Sequence, residues 1–130
     1  MDMMTLDQFK AARQVLSGVL HRTDLMYSPA FSKTTGNHVY LKPENMQVTG
    51  AYKIRGACFK ISTLTESQKK KGLITASAGN HAQGVALAAS VLNCHATIFM
   101  PRSTPEVKQT EVRRHGGRHV KIMLHGDCYD

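Results

Sequence analysis

The chain has 130 residues, 42% hydrophobic and 20% charged, with 17 Lys and Arg against 9 Asp and Glu for a formal net charge of +8. That balance suits one globular core; no apolar run reaches the length of a membrane span, and MDMMTLDQFK lacks the basic-then-apolar layout of a signal peptide. The positive charge reads as helix-end charge rather than as a nucleic-acid footprint. Lys69, Lys70 and Lys71 precede Gly72, and Arg113 and Arg114 precede Gly116, where cations suit the helix dipole. The few aromatics are not interleaved with the basic residues.

In chain order, Thr5 to Leu20 reads as an amphipathic helix, with Leu6, Phe9, Val15, Leu16, Val19 and Leu20 on one stripe behind the capping box TLDQ. Residues 23–37, with Pro29, Gly36 and Asn37, read as loop, HVYLK (38–42) as a strand and PENMQVTGA as a further loop. A helix is predicted from Ala51 or Tyr52 to about Ser62, and a short one from the capping box TESQ (65–68) to Gly72. Leu73 to Ala76 is a strand. Asn80 to Leu92 is a helix with Ala82, Val85, Ala86, Ala89 and Leu92 inward and Asn93 as a left-handed cap. HATIFM (95–100) is a strand. Thr104 and Pro105 form an N-cap and first-turn pair for a helix to about His115. HVKIML (119–124) is a strand, and GDCYD reads as the opening of one more helix. Strands alternating with helices imply a parallel sheet in an α/β architecture.

Cys58, Cys94 and Cys128 stand far apart with no CxxC spacing, which reads as buried thiols in a reducing cytoplasm. His115 and His119 are four apart, but Gly116 and Gly117 interrupt the helix that a metal-binding pair would need, so no metal site is expected.

Ligands of α/β sheets gather at the carboxyl ends of strands. Two polar loops fall there: the one after HVYLK that runs into TGAYKIRGA, and SAGNHAQG after LITA. Both feed helix N-termini, where open N–H groups and the dipole favour anions. SAGNHAQG therefore reads as a cradle for a carboxylate or phosphate. Lys53 falls in a first helical turn, where its charged form meets the positive dipole end at a cost of roughly 0.3–1 kcal/mol; a free amine is what a Schiff-base nucleophile requires. On residue type alone, a solvated Lys53, a structural His81 and a packing Tyr52 are the plainer readings.

LKPENMQVTGAYKIRGA and SAGNHAQGVALAA together resemble the serine/threonine dehydratases, pyridoxal-phosphate enzymes of the tryptophan-synthase-β-like fold (fold type II). The lysine motif follows the pattern LKxENxQxTGSFKxRGA with Ala-Tyr in place of Ser-Phe, and SAGNHAQG matches without change. MPRSTPEVK and HGDCYD add to a likeness that runs from about Arg22 onward, and the phrasing is most similar to catabolic threonine dehydratases. The resemblance implies that Lys53 carries the cofactor, with Tyr52 beside it and Asn80 bonded to its ring hydroxyl. It implies that Ser77, Gly79, Asn80 and His81 hold the substrate carboxylate. It implies deamination of L-threonine to 2-oxobutanoate and ammonia, with L-serine giving pyruvate. An adenosine monophosphate effector is implied at Thr49, Gly50 and Gln83.

Relatives of this family are more than twice as long. The expectation is that residues 1–50 open the large cofactor domain and 51–130 form most of the smaller one, the rest of the large domain and its Gly-rich phosphate loop lying outside the chain. An incomplete, inactive portion of a cytoplasmic homo-oligomeric enzyme is expected, binding neither nucleic acid nor membrane. Serine racemase or another fold-type-II enzyme is the alternative chemistry, and a non-enzymatic nucleotide-binding α/β remnant the alternative without chemistry.

Overall fold

The alternation of short β-prone runs with helices produces a three-stranded parallel sheet, β3 (Leu73–Ala76), β4 (Ala96–Met100) and β5 (Val120–Leu124), in that spatial order. Register aligns Leu73 with Ala96 and Val120, and Thr75 with Ile98 and Ile122. These details come from a computed structural model that describes residues 3–128. Because side chains alternate along a strand, Thr75, Ile98 and Ile122 share the face that packs beneath the helices, while Ile74, on the other face, is 79% exposed.

Helix α5 (Asn80–Val91) joins β3 to β4, and α6 (Glu106–Gly116) joins β4 to β5. Both pack on the sheet, and α3 (Lys53–Ser62) packs along α5. α5 is thus enclosed by sheet, α3 and α6. Ala82, Gln83, Gly84, Val85, Ala86, Ala88 and Ala89 are all buried. The sequence reading placed one inward stripe there and left out Gln83, Gly84 and Ala88; small residues on several faces let neighbours approach from each side. Ile54, Ala57, Cys58 and Ile61 of α3 and Val112 of α6 complete the core. Burial raises the thiol pKa of both Cys58 and Cys94.

The capping boxes predicted at Thr5 with Gln8 and Thr65 with Gln68 are both formed, on α1 (Leu6–Leu16) and α4 (Glu66–Lys71). α1 ends four residues short of the predicted Leu20, in a turn where the N–H groups of Val19 and Leu20 bond to Leu16 O. Leu6, Phe9 and Val15 are exposed; Leu16 is the stripe residue that is buried.

Other departures lie in the first third and at one cap. Residues 23–37 are not simply loop: they hold β1 (Met26–Tyr27) and α2 (Pro29–Thr35), the latter capped by Ser28 and closed by Gly36 at φ 69°. The predicted strand 38–42 is reduced to β2 (Tyr40–Leu41), and it pairs with β1 antiparallel, outside the parallel sheet. Thr104 does not cap α6. Pro105 holds the cap position, and the buried Thr104 hydroxyl has no hydrogen-bond partner among the described residues. Gly126–Cys128 form a bend, and the rest of the predicted terminal helix lies outside the described residues.

Ile98 is fully buried at the centre of the middle strand. Ile98→Val is expected to lower the unfolding free energy by about 0.5–1.5 kcal/mol in urea titrations, the cost of one buried methylene.

Candidate functional site

Two segments singled out in the sequence meet through one close contact. Gly84, the fifth residue of α5, lies against the first turn of α3. A Cβ built on it would sit 3.2 Å from the backbone N and Cα of Ile54 and 3.3 Å from the carbonyl carbon of Lys53. Glycine lets the two backbones approach this far. One helical turn back from Gly84 along α5 stand Asn80 and His81, so α5 begins one turn from its contact with the Lys53 backbone.

Lys53 is the first residue of α3 and exposed, and its side-chain amine has no hydrogen bond or ion pair among the described residues. Tyr52, at the N-cap, is 62% exposed. The loop after β3 is organised by Ser77, whose Oγ accepts from the N–H groups of Gly79 and Ala82, both at 3.3 Å. The Gln83 N–H reaches Gly79 O at 3.3 Å. The N–H groups of Asn80 and His81 have no acceptor among the described residues and remain as donors at the positive end of a 12-residue helix. The Asn80 side chain is exposed.

Beside this loop, at the carboxyl ends of the strands, a cavity of about 260 Å³ is lined by Ala76, Phe99, Pro101 and His125 among others. His81 lines a separate groove of about 230 Å³ with Gly56, Lys60 and Thr75. Of the effector candidates, Thr49 is buried and its hydroxyl donates to Ala51 O at 3.4 Å. Gly50 turns the chain at φ 68°, and Gln83 is buried on α5.

Sequence reasoning gave no role to a polar cluster behind Lys53. Arg55 donates to Glu44 through Nε at 2.9 Å and Nη2 at 2.7 Å. Thr23 Oγ1 donates to the same carboxylate at 2.7 Å, and Lys42 Nζ donates to the Thr23 carbonyl. The Arg55 guanidinium holds the Glu44 carboxyl at about 2, well below its ordinary 4.5. Buried Gln47 bonds both backbone groups of His21: Oε1 accepts from the N–H at 2.9 Å, and Nε2 donates to the carbonyl at 3.0 Å. Glu44, Gln47 and Arg55 all fall in the lysine motif, but nothing in its spacing pairs them.

Gly84→Ala is expected to push the α3 backbone back by a few tenths of an ångström and destabilise the chain by about 1–3 kcal/mol in urea titrations. Because the Glu44 pKa is depressed on folding, its contribution is present above the ordinary value of 4.5 and lost as pH falls towards about 2. The stability difference between the parent and Glu44→Gln should therefore be largest at neutral pH and shrink steadily below that ordinary value when both are unfolded in urea.

Residues 16–130 match the family described as pyridoxal-phosphate dependent enzyme. Over 128 residues, 98% of this chain, it is 49% identical to L-threonine ammonia-lyase of Thermotoga maritima, covering 31% of that protein. It is 44% identical to a biosynthetic L-threonine dehydratase of Lactococcus lactis, covering 31% of it, and 45% identical to a catabolic one of Staphylococcus aureus, covering 36%, each over 98% of this chain. Among solved structures it superposes on threonine deaminase isoform 2 of Solanum lycopersicum with a TM-score of 0.80 at 39% identity, covering 98% of this chain and 36% of that one. On maize serine racemase the TM-score is 0.81 at 36% identity, covering 93% and 36%. The chain spans about a third of the length of the curated relatives it matches. With the fold, the lysine-bearing helix and a family match over residues 16–130 in agreement, the chain belongs to the pyridoxal-phosphate dependent enzymes.

Proposed function

We propose that this chain is the lysine-bearing portion of an enzyme that converts L-threonine to 2-oxobutanoate and ammonia, with L-serine going to pyruvate as a side reaction. The observation that supports the reading is the Gly84 contact, which packs the backbone of Lys53 and Ile54 against the helix that starts at Asn80 and His81. A primary amine next to an anion cradle fits a phosphorylated aldehyde cofactor and a carboxylate substrate. When bound, pyridoxal phosphate supplies an electron sink for the pair left behind when the α-proton departs.

The chain's own residues then have separable tasks. The Lys53 amine holds the cofactor and, once released from it, takes the α-proton of the substrate. The N–H groups of Asn80 and His81, with Gly79 and the Ser77 that shapes their loop, hold the substrate carboxylate. The Asn80 side chain would donate to the cofactor's ring hydroxyl, and Tyr52 would lie beside the cofactor. Thr49, Gly50 and Gln83 are proposed to contribute to an adenosine monophosphate site. Residues 1–50 are proposed as the start of the large domain and 51–130 as most of the smaller one, in an enzyme that works in the cytoplasm as a homo-oligomer. The 130 residues alone lack a Gly-rich phosphate loop and are proposed to be inactive. Threonine is favoured over serine racemisation because the curated relatives named for threonine are 44–49% identical.

The test is a chimera in which residues 1–128 replace the matching segment of the Thermotoga maritima enzyme. Release of 2-oxobutanoate from L-threonine, lost at least 10³-fold on Lys53→Ala, is the expected result. A folded chimera that instead forms D-serine, or whose activity survives Lys53→Ala, would contradict the proposal. Threonine turnover by the 130-residue chain alone would overturn the statement that it is inactive.

A further inference from the structure

The lysine motif contains more polar residues than the proposed chemistry uses. From Lys42 to Arg55 the chain leaves β2, passes through a single turn of 3-10 helix (Glu44–Met46) and enters α3 at Lys53. Arg55 reaches back across that loop to Glu44 with two hydrogen bonds, at 2.9 and 2.7 Å, and so closes it on itself. A planar guanidinium fork on a carboxylate fixes orientation as well as distance. The Glu44 side chain is only 17% exposed, so solvent does not compete strongly for it. Thr23 completes the carboxylate's bonds, and Gln47 anchors the middle of the loop to His21. The closed loop therefore cannot shift without breaking charged bonds in a partly dry setting, and Lys53 lies inside it, two residues before Arg55.

We infer that Glu44 and Arg55 are positioning residues for Lys53: their bidentate pair, tied to Thr23, clamps the loop that presents the lysine amine. Neither side chain touches substrate or cofactor in this assignment. The inference rests on the proposed role of Lys53 and adds what holds that residue in place. The Gly84 contact fixes the α3 backbone from one side, and the clamp fixes the entering loop from the other.

The experiment is site-resolved labelling of the cofactor-free chimera in which residues 1–128 replace the matching segment of the Thermotoga maritima enzyme. Pyridoxal phosphate is titrated, borohydride fixes the adducts, and peptide mass mapping reads the concentration for half-labelling at Lys53 and at exposed Lys60. In the parent, Lys53 is expected to label at lower concentration than Lys60. In Glu44→Gln and in the milder Arg55→Lys, the half-labelling concentration at Lys53 should rise on the order of tenfold, since small misplacements of a reacting group cost rate and affinity steeply. Lys60 and the far-ultraviolet circular dichroism should stay unchanged. Labelling of Lys53 that is unchanged in both variants would overturn the inference and leave the proposed function standing. Equal loss at Lys53 and Lys60 with a collapsed dichroism signal in both variants would overturn it too, by showing a general structural role. A parent chimera in which Lys53 labels no better than Lys60 would overturn the proposed function and this inference with it.

Discussion

Everything at the candidate site depends on how closely α3 and α5 pack. Gly84 leaves room for the backbone of Lys53 and Ile54 where a Cβ would crowd it, and that approach packs the start of α3 against α5 one turn from its own start. Fully buried Ile54 and Ala82 sit at the same seam, so the apolar contact that stabilises the fold also sets the site's geometry. Burial drives the packing; the absence of a Cβ on Gly84 sets its distance. The helix starts that carry such a site are fixed by this packing, and that gives it precision.

The loop entering α3 needs a different kind of support. It has little apolar area to bury, so it is held by directed bonds: the Arg55 fork on Glu44, Thr23 beside it, and Gln47 on both backbone groups of His21. Polar groups in a half-dry setting are costly when unpaired. Here the Glu44 carboxylate is paired, and its low pKa follows from that pairing. The two halves of the site therefore rest on different physics, packing for the helices and hydrogen bonding for the loop.

Much of this was legible in the residues. β3 is reproduced at both ends, α5 begins at Asn80 as read, and both capping boxes form, because caps and periodicity are local rules. Asn93 takes φ 51°, as its place after an alanine-rich helix suggested. Helix α2 is hidden in the sequence because Pro29 and Gly36 read as breakers; behind Ser28 the same residues start and close a short helix. Thr104 failed as a cap because its hydroxyl is buried rather than turned to the first-turn amides. The Gly84 contact and the Glu44–Arg55 pair were out of reach for a deeper reason. One joins two helices, and the other spans eleven positions across an irregular loop, so no helical or strand spacing announces either.

The central claim is that Lys53 and the start of α5 form one site. Amide-resolved ¹H–¹⁵N correlation spectra recorded during a pyridoxal phosphate titration test it most directly. The resonances of Lys53, Gly79, Asn80 and His81 should move together along one saturation curve. Saturable shifts confined to residues elsewhere, with these four unmoved, would contradict it.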